Sequence, residues 1–88
     1  MKSWYVYILK LSDQTLYTGI TNNIIQRMKK HRLGKGSKYV YGRLPLKLVY
    51  MEEVANRSVA SKRESQIKKL NKKQKIALIA KTKIGGTR

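Results

Sequence analysis

The chain has 88 residues, no cysteine and one histidine, and its 21 lysines and arginines outnumber four acidic residues to give a formal net charge of +17. A chain of this length forms one domain with a thin core, burying roughly two-thirds of the surface that it exposes when unfolded. The composition excludes disulfides, thiolate nucleophiles and cysteine-bound zinc, and the charge indicates an anionic partner, of which polyphosphate is the commonest.

The first residues, MKSWYVYILKLSD, combine one lysine with a short apolar run. No small-residue cleavage site follows, so the pattern favours a strand over a signal peptide. No apolar run reaches the roughly 18 residues that a membrane span requires. We therefore expect a cytoplasmic protein that does not enter a membrane, and nothing in the sequence indicates an obligate protein partner.

A β-hairpin is predicted at the start of the chain. Residues 4–11 and 15–21 are rich in Tyr, Val, Ile, Leu and Thr, and the turn-forming sequence SDQ lies between them. Side chains alternate between the two faces of a strand, so the register of the hairpin decides whether Tyr7 and Tyr17 share a face.

The sequence leaves that register open, because it contains no Asn-Gly or Asp-Gly pair to fix the turn type. A loop with an odd number of residues, for instance 13–15, pairs Leu11 with Tyr17. The same register pairs Leu9 with Gly19 and puts the two tyrosines on one face. An even loop separates them.

A helix is predicted after the hairpin. TNN at 21–23 supplies an N-cap for IIQRMKKHRL, and Gly34 ends the segment. Arg27 and His31 are spaced i, i+4 and are therefore neighbours on this helix. Together they offer a phosphate ligand and a proton carrier, or simply a solvated margin of a lysine-rich helix.

Residues 34–45, GKGSKYVYGRLP, are predicted to form a basic loop. Aromatic rings between cations suit a nucleic-acid strand, because bases stack on the rings and phosphates pair with the cations. The residues in this loop that we assign to nucleic-acid binding are Lys35, Lys38, Tyr39 and Arg43.

The remaining chain is predicted as a third strand at 46–54 and two helices, the first capped by Asn56 or Ser58 and ending near residue 70, the second starting after Asn71. The order β-β-α-β-α-α predicts an α+β fold with a small antiparallel sheet and helices packed on it. We assign residues 1–83 to this domain and 84–88 to a flexible tail.

Glu64 is the only carboxylate outside the turn and the third strand. It forms either an ordinary i, i+4 ion pair with Lys68 or a hard oxygen ligand for a divalent cation. The tyrosines are equally ambiguous, since a phenol with a pKa near 10 needs nearby positive charge to act as a base, and most hairpin tyrosines only pack. Taken singly, each of these residues favours the structural role.

Their order and spacing together resemble the GIY-YIG nuclease domain from about Trp4 to Ile79. The first motif is Tyr5-Val6-Tyr7, and the second, Tyr17-Thr18-Gly19, begins ten residues after Tyr7. Arg27, His31 and a helical Glu64 follow. The segments WYVYIL, LYTGIT, KGSKYVYGRLPLKLVYMEE and RESQIKKL are similar to the small stand-alone bacterial members of that superfamily, which are mainly uncharacterised proteins.

The resemblance implies a three-stranded antiparallel sheet whose two motif tyrosines face one cleft, and a metal-dependent endonuclease that hydrolyses DNA phosphodiesters. Tyr17 would be the general base or position the attacking water, and Tyr7 would hydrogen-bond that water or the phosphate. Gly19 would permit a close approach of the strand. Arg27 would stabilise the phosphate transition state, with His31 assisting.

Glu64 would bind the one divalent cation, Mg²⁺ or Mn²⁺, that the resemblance implies. Nucleic acid, most simply DNA, would contact the basic loop together with Lys68, Lys69 and Asn71, the last of which would lie on the side of Glu64. The chain departs from the family pattern at Tyr5, Val6 and Thr18, which leaves both motif tyrosines in place.

No DNA-targeting domain accompanies the motifs in this sequence, so we expect structure-sensitive or weakly sequence-specific recognition. The alternative is a non-catalytic module that keeps the GIY-YIG fold and binds DNA or structured RNA through its charge.

Overall fold

The computed structural model describes residues 3–81. The elements are β1 (Trp4–Lys10), β2 (Leu16–Thr21), α1 (Ile24–Arg32), α2 (Lys38–Tyr41), β3 (Lys47–Val54), α3 (Arg57–Lys68) and α4 (Lys72–Lys81). The predicted α+β fold, a three-stranded antiparallel sheet flanked by helices, is confirmed. The predicted tail at 84–88 lies outside the described residues.

The sheet has the order β2-β1-β3, with both pairs antiparallel, so β1 lies at its centre. Tyr7 is opposite Gly19, and Leu9 is opposite Tyr17. This register has the odd loop that puts Tyr7 and Tyr17 on one face.

The pairing given as the example of an odd loop is nevertheless wrong by two residues, because the turn is centred on Asp13 and not on Gln14. The N–H of Leu11 donates to the carbonyl of Thr15 at 3.0 Å, and the N–H of Thr15 donates to Oδ1 of Asp13 at 3.1 Å. Gln14 has a positive φ of 72°. The turn therefore spans five residues, 11–15. Five is again an odd number, so Tyr7 and Tyr17 still share a face although the paired residues differ by two positions from the example.

The sheet separates two clusters of buried side chains. Val6 and Ile8 point to the face covered by α3 and α4, where the buried partners are Tyr50, Ala60 and Ile67. The opposite face, covered by α1 and α2, carries Tyr7, Leu9, Leu11, Met28 and Val40. Both motif tyrosines thus belong to the side of the sheet that faces α1.

The predicted loop 34–45 contains a short helix, α2, which its glycine-rich sequence did not indicate. Ser37 caps it by accepting a hydrogen bond on Oγ from the N–H of Val40 at 3.4 Å. Val40 is fully buried against the sheet. A single capped turn with one buried side chain is enough to order the middle of a segment whose glycines indicated a loop.

None of the helices within residues 3–81 is long and apolar enough to cross a membrane.

Candidate active site

Tyr7 on β1 is paired with Gly19 on β2, and its ring lies over the glycine. The Tyr7 side chain is only 1% exposed. A β-carbon added to Gly19 would lie 2.5 Å from Tyr7 Oη and 2.7 Å from its Cζ. The second motif therefore needs glycine because the phenol of the first motif occupies the space where any other side chain would begin.

His31 of α1 is hydrogen-bonded to the Tyr7 phenol. Its Nε2 lies 2.9 Å from Tyr7 Oη, and the histidine is 1% exposed. The ring of Tyr17 meets the edge of the His31 ring, with centroids 5.7 Å apart and planes at 80°. The histidine thus contacts both motif tyrosines at once.

The other ring nitrogen of His31 has no partner. Nδ1 is buried without a hydrogen bond, and a β-carbon on Gly36 would approach it to 2.7 Å. The backbone after α1 therefore closes over this side of the imidazole. Burial, followed by the charge of Arg27, lowers the pKa of His31 below its ordinary value of 6.5, so the ring is neutral at pH 7.

Burial also raises the pKa of Tyr7 to about 12. Of the charged and titratable neighbours that act on it, Arg27 lowers this pKa, while Tyr17 and Glu64 raise it by smaller amounts than burial does. Tyr7 therefore stays protonated at neutral pH and can donate a hydrogen bond. The residues that influence its ionisation come from β2, α1 and α3.

Glu64 lies on α3, a helix that packs against β1 and β2. Its side chain is 24% exposed, and Oε2 lies 3.4 Å from Nζ of Lys68. The ion pair considered from the sequence therefore exists, and the carboxylate is still close enough to Tyr7 to affect its pKa. Among residues 3–81 no cluster of three or more His, Asp or Glu side chains forms a metal cage.

A cavity of about 360 Å³ opens beside Tyr17. It is lined by Leu16, Tyr17, Thr18, Tyr39, Lys68 and Lys75. Lys68 and Tyr39 were predicted as nucleic-acid contacts, and both border this cavity. Lys75 was missed, because nothing in the lysine-rich sequence of α4 distinguishes it from its neighbours.

Tyr39 and Arg43 make contacts within the protein. Tyr39 stacks on Tyr17 with centroids 6.1 Å apart and planes at 22°. The Arg43 guanidinium lies 3.8 Å above the Tyr39 ring, and its Nε is 2.9 Å from Oδ2 of Asp13. The nucleic-acid role of these two residues stays a prediction.

The other predicted binding residues lie on the surface. Lys35, Lys38 and Lys69 are exposed. The side chain of Asn71 caps α4, accepting a bond on Oδ1 from the N–H of Gln74 at 2.8 Å. Their roles toward nucleic acid stay predictions as well.

Comparison with known proteins gives consistent results. The model of the GIY-YIG catalytic domain matches residues 3–77. A UPF0213 protein of Clostridium perfringens is 52% identical over 80 residues, covering 91% of this chain and 86% of the relative. Another UPF0213 protein, of Syntrophus aciditrophicus, is 51% identical over 80 residues, covering 90% and 92%.

Two solution structures share the fold. The UPF0213 protein BH0048 of Bacillus halodurans is 36% identical, has a TM-score of 0.62 and is matched over 94% of this chain and 88% of its own. The protein EF2693 of E. faecalis is 30% identical with a TM-score of 0.62, over 100% and 97%. The names of these relatives state no activity, whereas a GIY-YIG domain implies nuclease-type activity in general and a nucleic-acid substrate. The chain therefore belongs to the GIY-YIG family and is similar throughout to its UPF0213 members.

Proposed function

We propose that this protein is a metal-dependent endonuclease that hydrolyses phosphodiester bonds in DNA, with structure-sensitive or weakly sequence-specific recognition. The observation that supports it is the surroundings of Tyr7. The Tyr7 phenol is hydrogen-bonded to His31, and its pKa is shifted by Arg27, Glu64 and Tyr17. Packing alone does not require that one buried phenol be hydrogen-bonded to an imidazole and have its pKa shifted by an arginine and a carboxylate.

The proposed roles follow from the chemistry of each group. Tyr17, half-buried at the rim of the cavity, accepts a proton from the attacking water or orients that water. Tyr7 stays protonated and donates a hydrogen bond to the water or to a phosphate oxygen. Arg27 stabilises the negative charge that builds on the phosphate in the transition state.

His31 holds the Tyr7 phenol rather than carrying the reaction's proton itself. Its Nε2 is already engaged with Tyr7, and its lowered pKa keeps it uncharged at pH 7. The imidazole also contacts the Tyr17 ring by its edge, so it sets the spacing between the two phenols.

One divalent cation, Mg²⁺ or Mn²⁺, fits the donor set of this site. Magnesium commonly uses one or two carboxylates and completes its coordination with water and substrate phosphate. Glu64 is a partly exposed carboxylate near enough to Tyr7 to raise its pKa, and Lys68 balances its charge in the absence of a cation. A metal ion bound there supplies Lewis-acid stabilisation of a phosphate oxygen.

DNA is the proposed substrate because the cavity next to Tyr17 is bordered by two lysines in a chain with a formal charge of +17. Lys68 and Lys75 lie on α3 and α4, so two helices direct cations to the same opening. Phosphate contacts of this kind supply affinity without reading sequence, which agrees with weak sequence preference.

The test compares wild type with Glu64→Ala and with Glu53→Gln, which removes one negative charge from the exposed end of β3. Purified proteins are incubated with Mg²⁺ or Mn²⁺ and with supercoiled plasmid, linear duplex and branched DNA. We expect wild type and Glu53→Gln to nick DNA, and Glu64→Ala to fall to the background rate. Arg27→Ala should lose roughly 100- to 1,000-fold in rate.

Cleavage by Glu64→Ala at the wild-type rate would disprove the proposed metal ligand. The non-catalytic alternative predicts a different pattern, in which no substrate is cut with any metal. DNA or structured RNA is then bound, and Glu64→Ala binds as tightly as wild type or slightly more tightly, because it loses a negative charge.

A further inference from the structure

The ring of Tyr17 is held by aromatic contacts on two sides. His31 meets it edge-on at 5.7 Å, and Tyr39 stacks on it at 6.1 Å with an interplanar angle of 22°. His31 comes from α1 and is buried, whereas Tyr39 comes from α2 and is 42% exposed. The exposed partner therefore needs its own support if it is to fix the orientation of Tyr17.

That support comes from Arg43. Its guanidinium lies 3.8 Å above the Tyr39 ring, and Nη1 donates to the backbone carbonyl of Tyr39 at 3.1 Å. The same side chain thus holds both the ring and the backbone of Tyr39. The planar guanidinium suits this contact because it can stack on a ring while donating hydrogen bonds at its edge.

Arg43 is in turn fastened to the β1–β2 turn. Its Nε is bonded to Oδ2 of Asp13 at 2.9 Å, and its carbonyl accepts a bond from the N–H of Ser12 at 2.9 Å. Oδ1 of Asp13 accepts from both the hydroxyl and the N–H of Thr15. The carboxylate is therefore fixed on both oxygens, and the turn that leads into β2 is connected to Tyr17 through space as well as along the chain.

We propose that Asp13, Arg43 and Tyr39 form a clamp that positions Tyr17 for its part in cleavage. The clamp is defined by these three residues and acts through Tyr17, so all three are positioning residues. The contribution of the clamp to cleavage rests on the proposed function of Tyr17. Its effect on the orientation of the Tyr17 ring is a property of the protein without substrate.

The clamp explains why a basic and aromatic segment lies beside the site without assigning Tyr39 and Arg43 to DNA. Arg43 covers the Tyr39 ring and is paired with a carboxylate, and Tyr39 is already stacked on Tyr17. A base that stacked on Tyr39 would have to displace one of these partners. Lys75, and Lys68 whose ion-pair partner is Glu64, also line the cavity and are the cations proposed to contact phosphate there.

The two roles predict different effects of Asp13→Asn on the cleavage rate, because only the clamp needs this carboxylate to keep Tyr17 in place, while both roles allow the affinity for DNA to rise. If Arg43 served mainly to bind phosphate, removing its carboxylate partner would free the cation and tighten DNA binding. A clamp instead loses an anchor, because a neutral amide holds a guanidinium less strongly than a carboxylate does. We expect Asp13→Asn to cut DNA more slowly while its affinity for DNA is unchanged or higher.

The decisive variants are Tyr39→Leu, which removes the ring, and Tyr39→Phe, which keeps it. In the protein without DNA, the NMR cross-relaxation between the Tyr17 and His31 rings reports how firmly Tyr17 is oriented. We expect it to weaken in Tyr39→Leu and Asp13→Asn and to match wild type in Tyr39→Phe. Thermal unfolding shows that each variant is folded.

Cleavage kinetics supply the second measurement. We expect Tyr39→Leu to lower kcat by roughly 10- to 100-fold, as small misplacements of a reacting group do, with KM and the Kd for DNA within about twofold of wild type. Tyr39→Phe should cut at the wild-type rate.

Unchanged Tyr17–His31 cross-relaxation in Tyr39→Leu would overturn the clamp. So would a variant that keeps kcat but binds DNA less tightly, because Tyr39 would then be a DNA contact. If wild type cuts no DNA, the proposed function fails, whereas the cross-relaxation measurement still decides whether Tyr39 positions Tyr17.

Discussion

The hydrogen bond between Tyr7 and His31 has a direction that the burial of the imidazole determines. Nε2 lies 2.9 Å from Tyr7 Oη, and Nδ1 is buried without a partner. A buried N–H without an acceptor is rarer and more costly than a buried lone pair without a donor. We infer that the proton of the neutral ring is on Nε2, so His31 donates to Tyr7 and the phenolic hydrogen remains free for another acceptor.

This arrangement predicts the tautomer of His31. Long-range ¹⁵N–¹H NMR spectra at pH 7 should show a neutral imidazole protonated at Nε2, because the lowered pKa disfavours the imidazolium. Tyr7→Phe serves as the control, since it keeps the ring of Tyr7 but removes the acceptor. We expect the Nε2–H preference to weaken in that variant. If the wild-type ring is protonated at Nδ1, then Tyr7 donates to Nε2, and its hydroxyl hydrogen is not available to another acceptor.

At the scale of single elements, the N-terminus of α3 matters because this helix carries Glu64 to the site. The sequence left Asn56 and Ser58 as alternative caps, and the structure selects Asn56, whose Oδ1 accepts from the N–H of Val59 at 3.0 Å. Ser58 lies within the first turn of the helix instead.

Asn56→Ala should therefore lower the free energy of unfolding by about 1 kcal/mol, because the N–H of Val59 loses its acceptor. Ser58→Ala is the matched control, and we expect it to change that free energy by less than about 0.5 kcal/mol. Urea unfolding followed by circular dichroism measures both. Equal losses in the two variants would show that the amide cap contributes nothing particular to α3.

The elements of the fold were largely predictable because their signals are local. Runs rich in Tyr, Val, Ile, Leu and Thr indicated β1 and β2, and capping residues indicated α1 and α3. The length of the first turn was not predictable, since it depends on Asp13 bonding both Thr15 and the distant Arg43. Helix α2 was missed for a related reason, as its order depends on Val40 being buried against the sheet.

The candidate site could be proposed from the sequence only through the resemblance. Each proposed residue had an ordinary structural explanation, and one of these, the ion pair between Glu64 and Lys68, is present. The contact of Tyr39 with Tyr17 could not be read from the sequence, because it joins residues from separate segments through a stacking geometry that leaves no periodic pattern. Composition predicts a nucleic-acid contact for Tyr39, which stays a prediction, and the structure adds its partners within the protein.

At the scale of the whole molecule, the positive charge is barely neutralised within the chain. The four carboxylates have partners: Asp13 pairs with Arg43, Glu52 with Arg63, Glu64 with Lys68, and Glu53 accepts a hydrogen bond from Ser3. With only four acids against 21 Lys and Arg, most cations have no carboxylate to pair with. Binding to any polyanion should therefore be strong at low salt, and the question is whether one surface is preferred.

Two double variants with the same change in charge answer that question. Lys68→Gln with Lys75→Gln removes both cations of the cavity beside Tyr17. Lys47→Gln with Lys62→Gln removes two exposed cations, one of them on β3, the edge strand opposite β2. Affinity for a duplex oligonucleotide is measured between low and moderate salt in the presence of EDTA, so that metal-dependent cleavage does not interfere.

If DNA lies along the cavity, the first double variant should decrease the magnitude of the slope of log K against log salt by roughly two, about one for each phosphate that is no longer neutralised by a lysine. The second should leave the slope within about 0.5 of wild type, because neither of its two lysines lines the cavity and so neither contacts a phosphate bound there. Equal decreases in both variants would mean that DNA is held by the total charge and not by the surface next to Tyr17. Since cleavage requires the phosphate to reach that surface, such a result would favour the binding module over the nuclease.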